Sequence, residues 1–383
     1  MIMIKIGIAG VRGLSTLAGL RLTEDVRIDA MCDLNEQALA DAAERLGNDV
    51  KRYRVFEDML ESDIDAVIIA TPMQCHVPQA IAALEAGKHV MSEVTAGVTM
   101  DELFWLTECV EKYGKIYMYA ENYIFTPQVQ LVKEMVRAGL FGEPYYAEGS
   151  YLHDISALLA PGANGRLSWR NYWQCGRRGN FYPTHSVGPV MQWFEGDRIA
   201  EISTFSPGVR NDLGVKQDSG TTTLCRTEKG KLIQIRTDCL SPRPHNMDRY
   251  ALQGTAGAFE SAVYGKGRLA GDTDRVSLVS NKTDKGEMDW EPLMNYRELL
   301  PDKYKNATQE QLNAGHGGGD FFIVEDFIDA IRKNEQPALD VYKACEWTAV
   351  GLLSALSVTN GSRTIEVPRF RPAMPLEEKR IKL

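Results

Sequence analysis

Ile4-Lys5-Ile6-Gly7-Ile8-Ala9-Gly10-Val11-Arg12-Gly13-Leu14-Ser15 decides how the first part of the chain is read. A short apolar run that ends on glycine reads as a strand entering a tight turn. A second such run, Val26 to Cys32, closes on Asp33, and between the two lies room for a crossover helix. The turn stands where a GxGxxG fingerprint belongs, with Gly10 in place but Arg12 and Ser15 at the second and third glycine positions. Asp33 follows Gly10 by 23 residues and sits at the end of the second strand. There a carboxylate can accept hydrogen bonds from the adenosine ribose hydroxyls of a dinucleotide. Arg12 reads either as a cation along the pyrophosphate or as a solvent-facing loop residue.

Working outward, residues 35–46 have helical composition and spacing, 66–70 are a buried strand, and 77–85 are a helix ended by Gly87. Residues 89–91 and 116–118 continue the strands, with a helix over 100–113 between them. Strands alternating with helices predict a doubly wound parallel sheet over 1–122. Beyond Asn122 the rhythm changes. After a helix over 126–138 come strand-like runs at 144–151, 199–205, 221–226, 232–238 and 248–253, and helices over 320–332 and 342–358 close the chain. This half, 123–383, is expected to be an α+β unit with an open, mostly antiparallel sheet that serves substrate binding and dimerisation. An uncovered apolar sheet face is expected to pair two copies as a homodimer or larger homo-oligomer.

At 383 residues two domains are the expected number. The formal net charge of −9, without a long basic run, disfavours nucleic acid and anionic membrane as partners. Cys32, Cys75, Cys109, Cys175, Cys225, Cys239 and Cys345 stand singly, with neither zinc-ligand spacing nor a disulfide framework, so no metal site is expected. The start lacks the features of a signal peptide and no apolar run is long enough to span a bilayer, which points to the cytoplasm.

Three segments immediately follow predicted parallel strands, at the edge where ligands of such sheets bind: Thr71-Pro72-Met73-Gln74-Cys75-His76, Ser92-Glu93-Val94-Thr95 and Ala120-Glu121-Asn122-Tyr123. His76 reads equally as a cofactor contact or a helix cap. Leu34 and Asn35, not basic residues, follow Asp33, which favours NAD over NADP. Downstream, Tyr151-Leu152-His153-Asp154 and Tyr182-Pro183-Thr184-His185 bring more acid/base groups than hydride transfer requires. That surplus suits a C–H proton and a leaving group as well as a hydroxyl.

These segments resemble the Gfo/Idh/MocA oxidoreductase family over essentially the whole chain. Where members of that family carry Glu-Lys-Pro this chain reads Glu93-Val94-Thr95, so the family's usual proton-relay lysine is missing. The sequence is similar to the branch of NAD-dependent glycoside hydrolases of family 109. The similarity rests on Glu121-Asn122, residues 149–154, Trp169-Arg170, residues 179–189 and Gly315-His316-Gly317-Gly318. It departs from them at Met73-Gln74-Cys75, where tryptophans are usual.

The resemblance implies cofactor contacts at Val11, Arg12, Asp33, Met73, Gln74, Cys75, His76, Glu93, Val94 and Asn122, with Tyr182 touching both ligands. It implies substrate contacts at Tyr151, Arg170, Tyr182, Pro183, Thr184, His185 and Tyr264. The reaction it implies is glycoside hydrolysis without net redox change: oxidation at C3, removal of the C2 proton, loss of the aglycone, water addition and re-reduction. Tyr151 is the expected C2 base, His185 the group that handles the C3 hydroxyl proton in place of the lysine, and Glu121 a further acid/base or a sugar ligand. His153 and Asp154 read as a pair that orients the loop. His316 reads equally as a substrate-side residue and a helix-entry residue. Should two of Arg166, Arg170, Arg177 and Arg178 face the pocket, an anionic sugar becomes a candidate. The competing classes are an NAD-dependent sugar dehydrogenase with net hydride transfer and a non-catalytic sugar or NAD(H) sensor.

Overall fold

The computed structural model describes residues 3–11, 16–46, 49–162, 165–264 and 270–371. Its first six strands are β1 (Ile4–Ala9), β2 (Val26–Cys32), β3 (Lys51–Tyr53), β4 (Ala66–Ile69), β5 (His89–Glu93) and β6 (Tyr117–Ala120). They form one sheet in the order β3-β2-β1-β4-β5-β6, with every pairing parallel. Helices cover both faces, so a central strand such as β4 is buried at all four residues and needs no polar alternation. The helices of this half are α1 (Leu17–Leu22), α2 (Glu36–Leu46), α3 (Phe56–Leu60), α4 (His76–Glu85) and α5 (Met100–Tyr113). The ends of α5 are written locally: Thr99 and Glu102 close a capping box at the start, and Gly114 takes a left-handed conformation at the end. Strand order reverses between β1 and β4, opening a crevice at their carboxyl ends.

After α6 (Pro127–Arg137) the chain enters β7 (Pro144–Leu152), and α7 (Thr184–Met191) separates it from the remaining strands. These are β8 (Ile199–Phe205), β9 (Thr221–Thr227), β10 (Leu232–Asp238), β11 (Asn246–Gly254), β12 (Gly257–Glu260), β13 (Arg275–Leu278), β14 (Glu291–Pro292) and β15 (Ile365–Glu366). The nine strands run in the order β14-β13-β12-β11-β7-β10-β9-β8-β15. β7 and β10 are parallel and every other pairing is antiparallel. Two single-turn helices, α8 (Asp302–Lys305) and α9 (Gln309–Leu312), precede α10 (Gly319–Lys333) and α11 (Val341–Thr359). α10 returns to pack on α1, and α11 packs on both α5 and β8, so one hydrophobic core runs through both sheets.

Among the described residues the open face of this sheet mixes apolar and charged side chains. Across the sheet, one outward row reads Ser203, Leu224, Gln234, Glu148, Ala251, Glu260 and Arg275, and the next begins with the ion-paired Glu201 and Arg226. Leu224, Leu232 and Phe205 are scattered among charges, while Ile233, Ile235, Tyr250 and Leu252 point into the core. Strand alternation has sorted apolar residues inward, as in a sheet with one face to water. Among the described residues no helix is long and apolar enough to cross a membrane.

Candidate active site

The crevice over the first sheet is a cavity of about 1240 Å³ that reaches from Asp33 and Asn35 past Thr71, Met73, Gln74, Cys75 and His76 to Glu93, Val94 and Tyr182. Gly10 forms its floor. A Cβ there would lie 2.4 Å from the Ala70 carbonyl oxygen, and the backbone has φ +83°, so only glycine lets β1 turn this closely past β4. Asp33 accepts hydrogen bonds from the backbone N–H groups of Val11 (3.2 Å) and Asn35 (2.8 Å), which lock the carboxylate at the lip of the cavity. Arg12 lies outside the described residues. Gln74 places a buried side-chain oxygen on this wall with no partner among the described residues. A tight glycine turn, a fixed carboxylate at the adenosine end and an unmatched acceptor along the wall fit a dinucleotide. One basic residue does stand near Asp33: Arg54, from the segment after β3, lines the same end and pairs with Glu36 at 2.7 Å.

His76 is buried, with Nδ1 2.8 Å from the Thr95 carbonyl oxygen and Nε2 2.8 Å from that of Thr71. It therefore ties together two loops of the crevice wall. Thr71 in turn donates from Oγ1 to Gln79 at 2.6 Å.

Beside Tyr182, which lines one end of the cavity, residues from four distant segments converge. Glu121 and Tyr123 follow the end of β6, Tyr151 lies at the end of β7 with His153 just beyond it, Thr184 and His185 begin α7, His316 sits in the turn before α10, and Asp320 lies in the first turn of that helix. Gly149 lets α7 close on β7, since a Cβ there would sit 2.6 Å from the Ser186 carbonyl oxygen. The Tyr151 and His185 rings are thereby brought to 4.9 Å, with Tyr182 5.1 Å and Tyr123 4.6 Å from His185. The Tyr250 hydroxyl donates to the His185 carbonyl at 2.8 Å and fixes the helix start.

His185 Nδ1 lies 2.8 Å from Glu121 Oε1, and the carboxylate is fully buried. A carboxylate at Nδ1 holds the proton there and leaves Nε2 as the basic nitrogen. A second imidazole–carboxylate pair stands across Tyr123, where His316 Nδ1 is 2.9 Å from Asp320 Oδ2 and the ring lies 5.3 Å from that of Tyr123. Asn122 Nδ2 donates to Asp320 at 2.8 Å and completes the bracket. Although burial opposes it, the Asp320 carboxylate raises the His316 pKa above its ordinary value. His316 has φ +44°, a left-handed conformation that costs a non-glycine residue of order 1–3 kcal/mol. Asp320 can be where it is because two glycines make room. A Cβ on Gly19 of α1 would meet the Asp320 carbonyl oxygen at 2.1 Å, and one on Gly319 would meet that of Asn122 at 2.5 Å.

The Tyr151 hydroxyl lies 2.7 Å from His153 Nδ1, and burial pushes its phenol well above the usual range. His153 is not paired with Asp154, as the sequence suggested; Asp154 instead accepts from the Ser156 N–H at 2.9 Å. Burial, followed by His245, His185 and Arg170, pulls His153 down to about 4. Arg170 lines the cavity beside Arg166, stacks 4.5 Å over Trp169 and bonds to Gln174. Arg178 is instead taken up by the buried Asp218, and Arg177 stacks on Phe181 and donates to the Val98 carbonyl.

Of the sequence-nominated residues, Glu121, Tyr151, Tyr182 and His185 come together, with Pro183 capping and buried Thr184 opening α7. Asn122 faces His316 and Asp320, not the cofactor crevice. Tyr264 is 60% exposed, and its backbone N–H donates to Asp272 at 2.7 Å. Sequence reasoning did not select Asp320, Tyr123 or His245. Asp320 had a signal, standing four residues after His316 at a helix start.

Residues 125–216 and 209–374 match the glycosyl hydrolase 109 C-terminal domain, and residues 4–121 match the oxidoreductase family with an NAD-binding Rossmann fold. An alpha-N-acetylgalactosaminidase of Shewanella oneidensis is 31% identical, over 97% of this chain and 85% of that protein. A glycosyl hydrolase family 109 protein of Shewanella sp. (strain ANA-3) shows the same identity and coverage. Among solved structures, levoglucosan dehydrogenase in complex with NADH and L-sorbose superposes with a TM-score of 0.78 at 20% identity, covering 96% of this chain and 99% of that one. A scyllo-inositol dehydrogenase of Lactobacillus casei does so with a TM-score of 0.68 at 16% identity, covering 96% and 99%. The two superpositions establish a shared fold.

Proposed function

Because the chain belongs to glycosyl hydrolase family 109 and its N-terminal part is the NAD-binding Rossmann fold of the oxidoreductase family, we propose that it hydrolyses glycosides through a transient 3-keto sugar. Bound NAD supplies the hydride acceptor at the start and the donor at the end, so the reaction closes without net redox change. His185 Nε2 takes the C3 hydroxyl proton, with Glu121 holding the imidazole in the required tautomer and offsetting the charge it gains. That pair stands in for the lysine replaced by Val94. With a ketone at C3 the C2 proton is acidic. Tyr151 removes it, and the electron pair left on C2 forms the C1–C2 double bond as the aglycone oxygen departs. His316, whose raised pKa favours the protonated form, gives that oxygen its proton and later takes one from the water that adds at C1.

The observation that supports this reading over a plain dehydrogenase is the pair of imidazole–carboxylate couples on either side of Tyr123, together with a tyrosine–histidine bond. Hydride transfer needs one proton acceptor; elimination and hydration need more. With Arg166 and Arg170 both on the cavity wall, anionic glycosides belong beside neutral and N-acetylamino sugars in a substrate panel. On a panel of nitrophenyl glycosides, nitrophenol should appear without NADH accumulating, and Tyr151→Phe should slow its release by roughly 10² to 10⁴ with NAD binding intact. Accumulation of NADH with an uncleaved glycoside would return the protein to the dehydrogenases.

A further inference from the structure

We infer that His153 is the proton acceptor for Tyr151, so that the C2 base is a tyrosine–histidine relay that empties to solvent past His245. The inference rests on the elimination reading above and specifies how its base works. Tyr151 is 6% exposed, and its hydroxyl is hydrogen-bonded to His153 Nδ1 at 2.7 Å. A phenol in that setting does not ionise alone, because burial disfavours the phenolate. It can act as a base only if its proton leaves as the C2 proton arrives.

The fold builds the acceptor into the same strand. Tyr151 and His153 are two residues apart at the end of β7, where i and i+2 share a face. The ladder continues past the strand, with the His153 N–H bonded to the Asp238 carbonyl at 2.9 Å, so both side chains are held in register. The His153 ring packs against Tyr151 and His245, the latter just before β11, and the charges that act on it at longer range are those of His185, Arg170 and Asp154. His245, His185 and Arg170 are basic, which together with burial keeps the imidazole neutral between turnovers. Nδ1 then carries a lone pair for the tyrosine proton and Nε2 carries the hydrogen. The His245 ring, 4.5 Å from that of His153 and half-buried, is the next group outward.

The step balances without a further reactant. The C2 proton moves to the Tyr151 oxygen, the phenol proton moves to His153 Nδ1, and the C2–H electron pair passes into the enolate of the C3 ketone. Negative charge developing on the sugar raises the imidazole's proton affinity at the moment it is needed. His153 returns to neutral by releasing a proton from Nε2 towards His245, and the sequence reverses when C2 is reprotonated.

The test uses the NAD-loaded protein and the nitrophenyl glycoside it turns over, deuterated at C2. His153→Asn keeps an oxygen near the Nδ1 position that can accept the tyrosine hydrogen bond but cannot take the proton. It should lower aglycone release and C2 exchange roughly 10²-fold with KM nearly unchanged, and bring the C2 deuterium isotope effect to its full size. His153→Ala should be partly restored by added imidazole, whereas a role in packing alone would not respond. His245→Asn should slow loss of deuterium to water more than it slows aglycone release. Wild-type exchange matched by the asparagine variant, or an alanine variant that imidazole leaves unmoved, overturns the relay alone. Wild-type product that keeps all its C2 deuterium overturns the elimination reading and the relay with it.

Discussion

The two imidazole–carboxylate pairs have nearly the same bond, 2.8 Å for His185–Glu121 and 2.9 Å for His316–Asp320, but not the same surroundings. The His185 side chain is 9% exposed and its carboxylate fully buried, whereas the His316 side chain is 35% exposed over a carboxylate at 3%. His185 is the second residue of a helix whose eight residues are all buried, while His316 sits on a glycine-rich turn in a left-handed conformation. On the proposed reaction, a shared chemical device stands once where geometry must be fixed and once where a group must come and go. The sealed pair suits the sugar ring and the open pair suits the leaving group and the incoming water.

That contrast is broken most directly at Glu121. Glu121→Gln removes the charge that orients His185, and kcat should fall by roughly 10² to 10⁴ whatever the aglycone, because the oxidation precedes the choice of leaving group. Equal sensitivity to leaving-group acidity in this variant and in the next would erase the distinction between the pairs. Asp320→Asn should cost roughly tenfold to 10²-fold on glycosides with poor leaving groups and little on nitrophenyl glycosides, which depart without an acid. The same variant should move the alkaline limb of kcat to lower pH, since His316 acts as an acid only below its pKa and Asp320 is what raises it. Steady-state rates across an aglycone series and a pH series read both effects.

The smallest effect is on stability. The raised His316 pKa contributes stability that is complete below about 6.5 and lost as pH climbs through its folded pKa. His153, pulled down to about 4, works in the opposite sense: the unfolded chain binds a proton that the folded one refuses, so stability declines as pH falls from 6.5 towards 4. Thermal melts across that range should show the acid decline in both wild type and Asp320→Asn. The alkaline decline should be shallower in the variant.

Much of the scaffold was legible. Residues 199–205, 232–238 and 100–113 have the extents that their apolar periods and caps indicate. α7 was not, because Thr184-His185-Ser186-Val187-Gly188-Pro189 holds a glycine, a proline and a β-branched valine, and it is helical by virtue of burial on every side. The strands after β11 run only two to four residues, too short for a period to show. In the site, residue types were readable but partnerships were not. Glu121 and His185 are 64 residues apart, Asn122 and Asp320 are 198 apart, and nothing local encodes either meeting. Assigning His153 to Asp154 followed adjacency in the chain, whereas the strand's two-residue period turns His153 towards Tyr151.

The contact between Gly19 and Asp320 bears on how such enzymes can be recombined. The cofactor-binding half looks like a cassette, because its sheet is complete in itself and all six strands come from one contiguous stretch, Ile4 to Ala120. Yet its first helix meets the carboxylate-bearing helix of the other half backbone to backbone, with no space for even a methyl group. A chimera that imports a Rossmann half with alanine at this point would force α1 and α10 apart and shift the segment on which the open pair is mounted. Compatibility between donor halves therefore has a one-letter criterion at position 19, and it can be checked in a sequence before any gene is made.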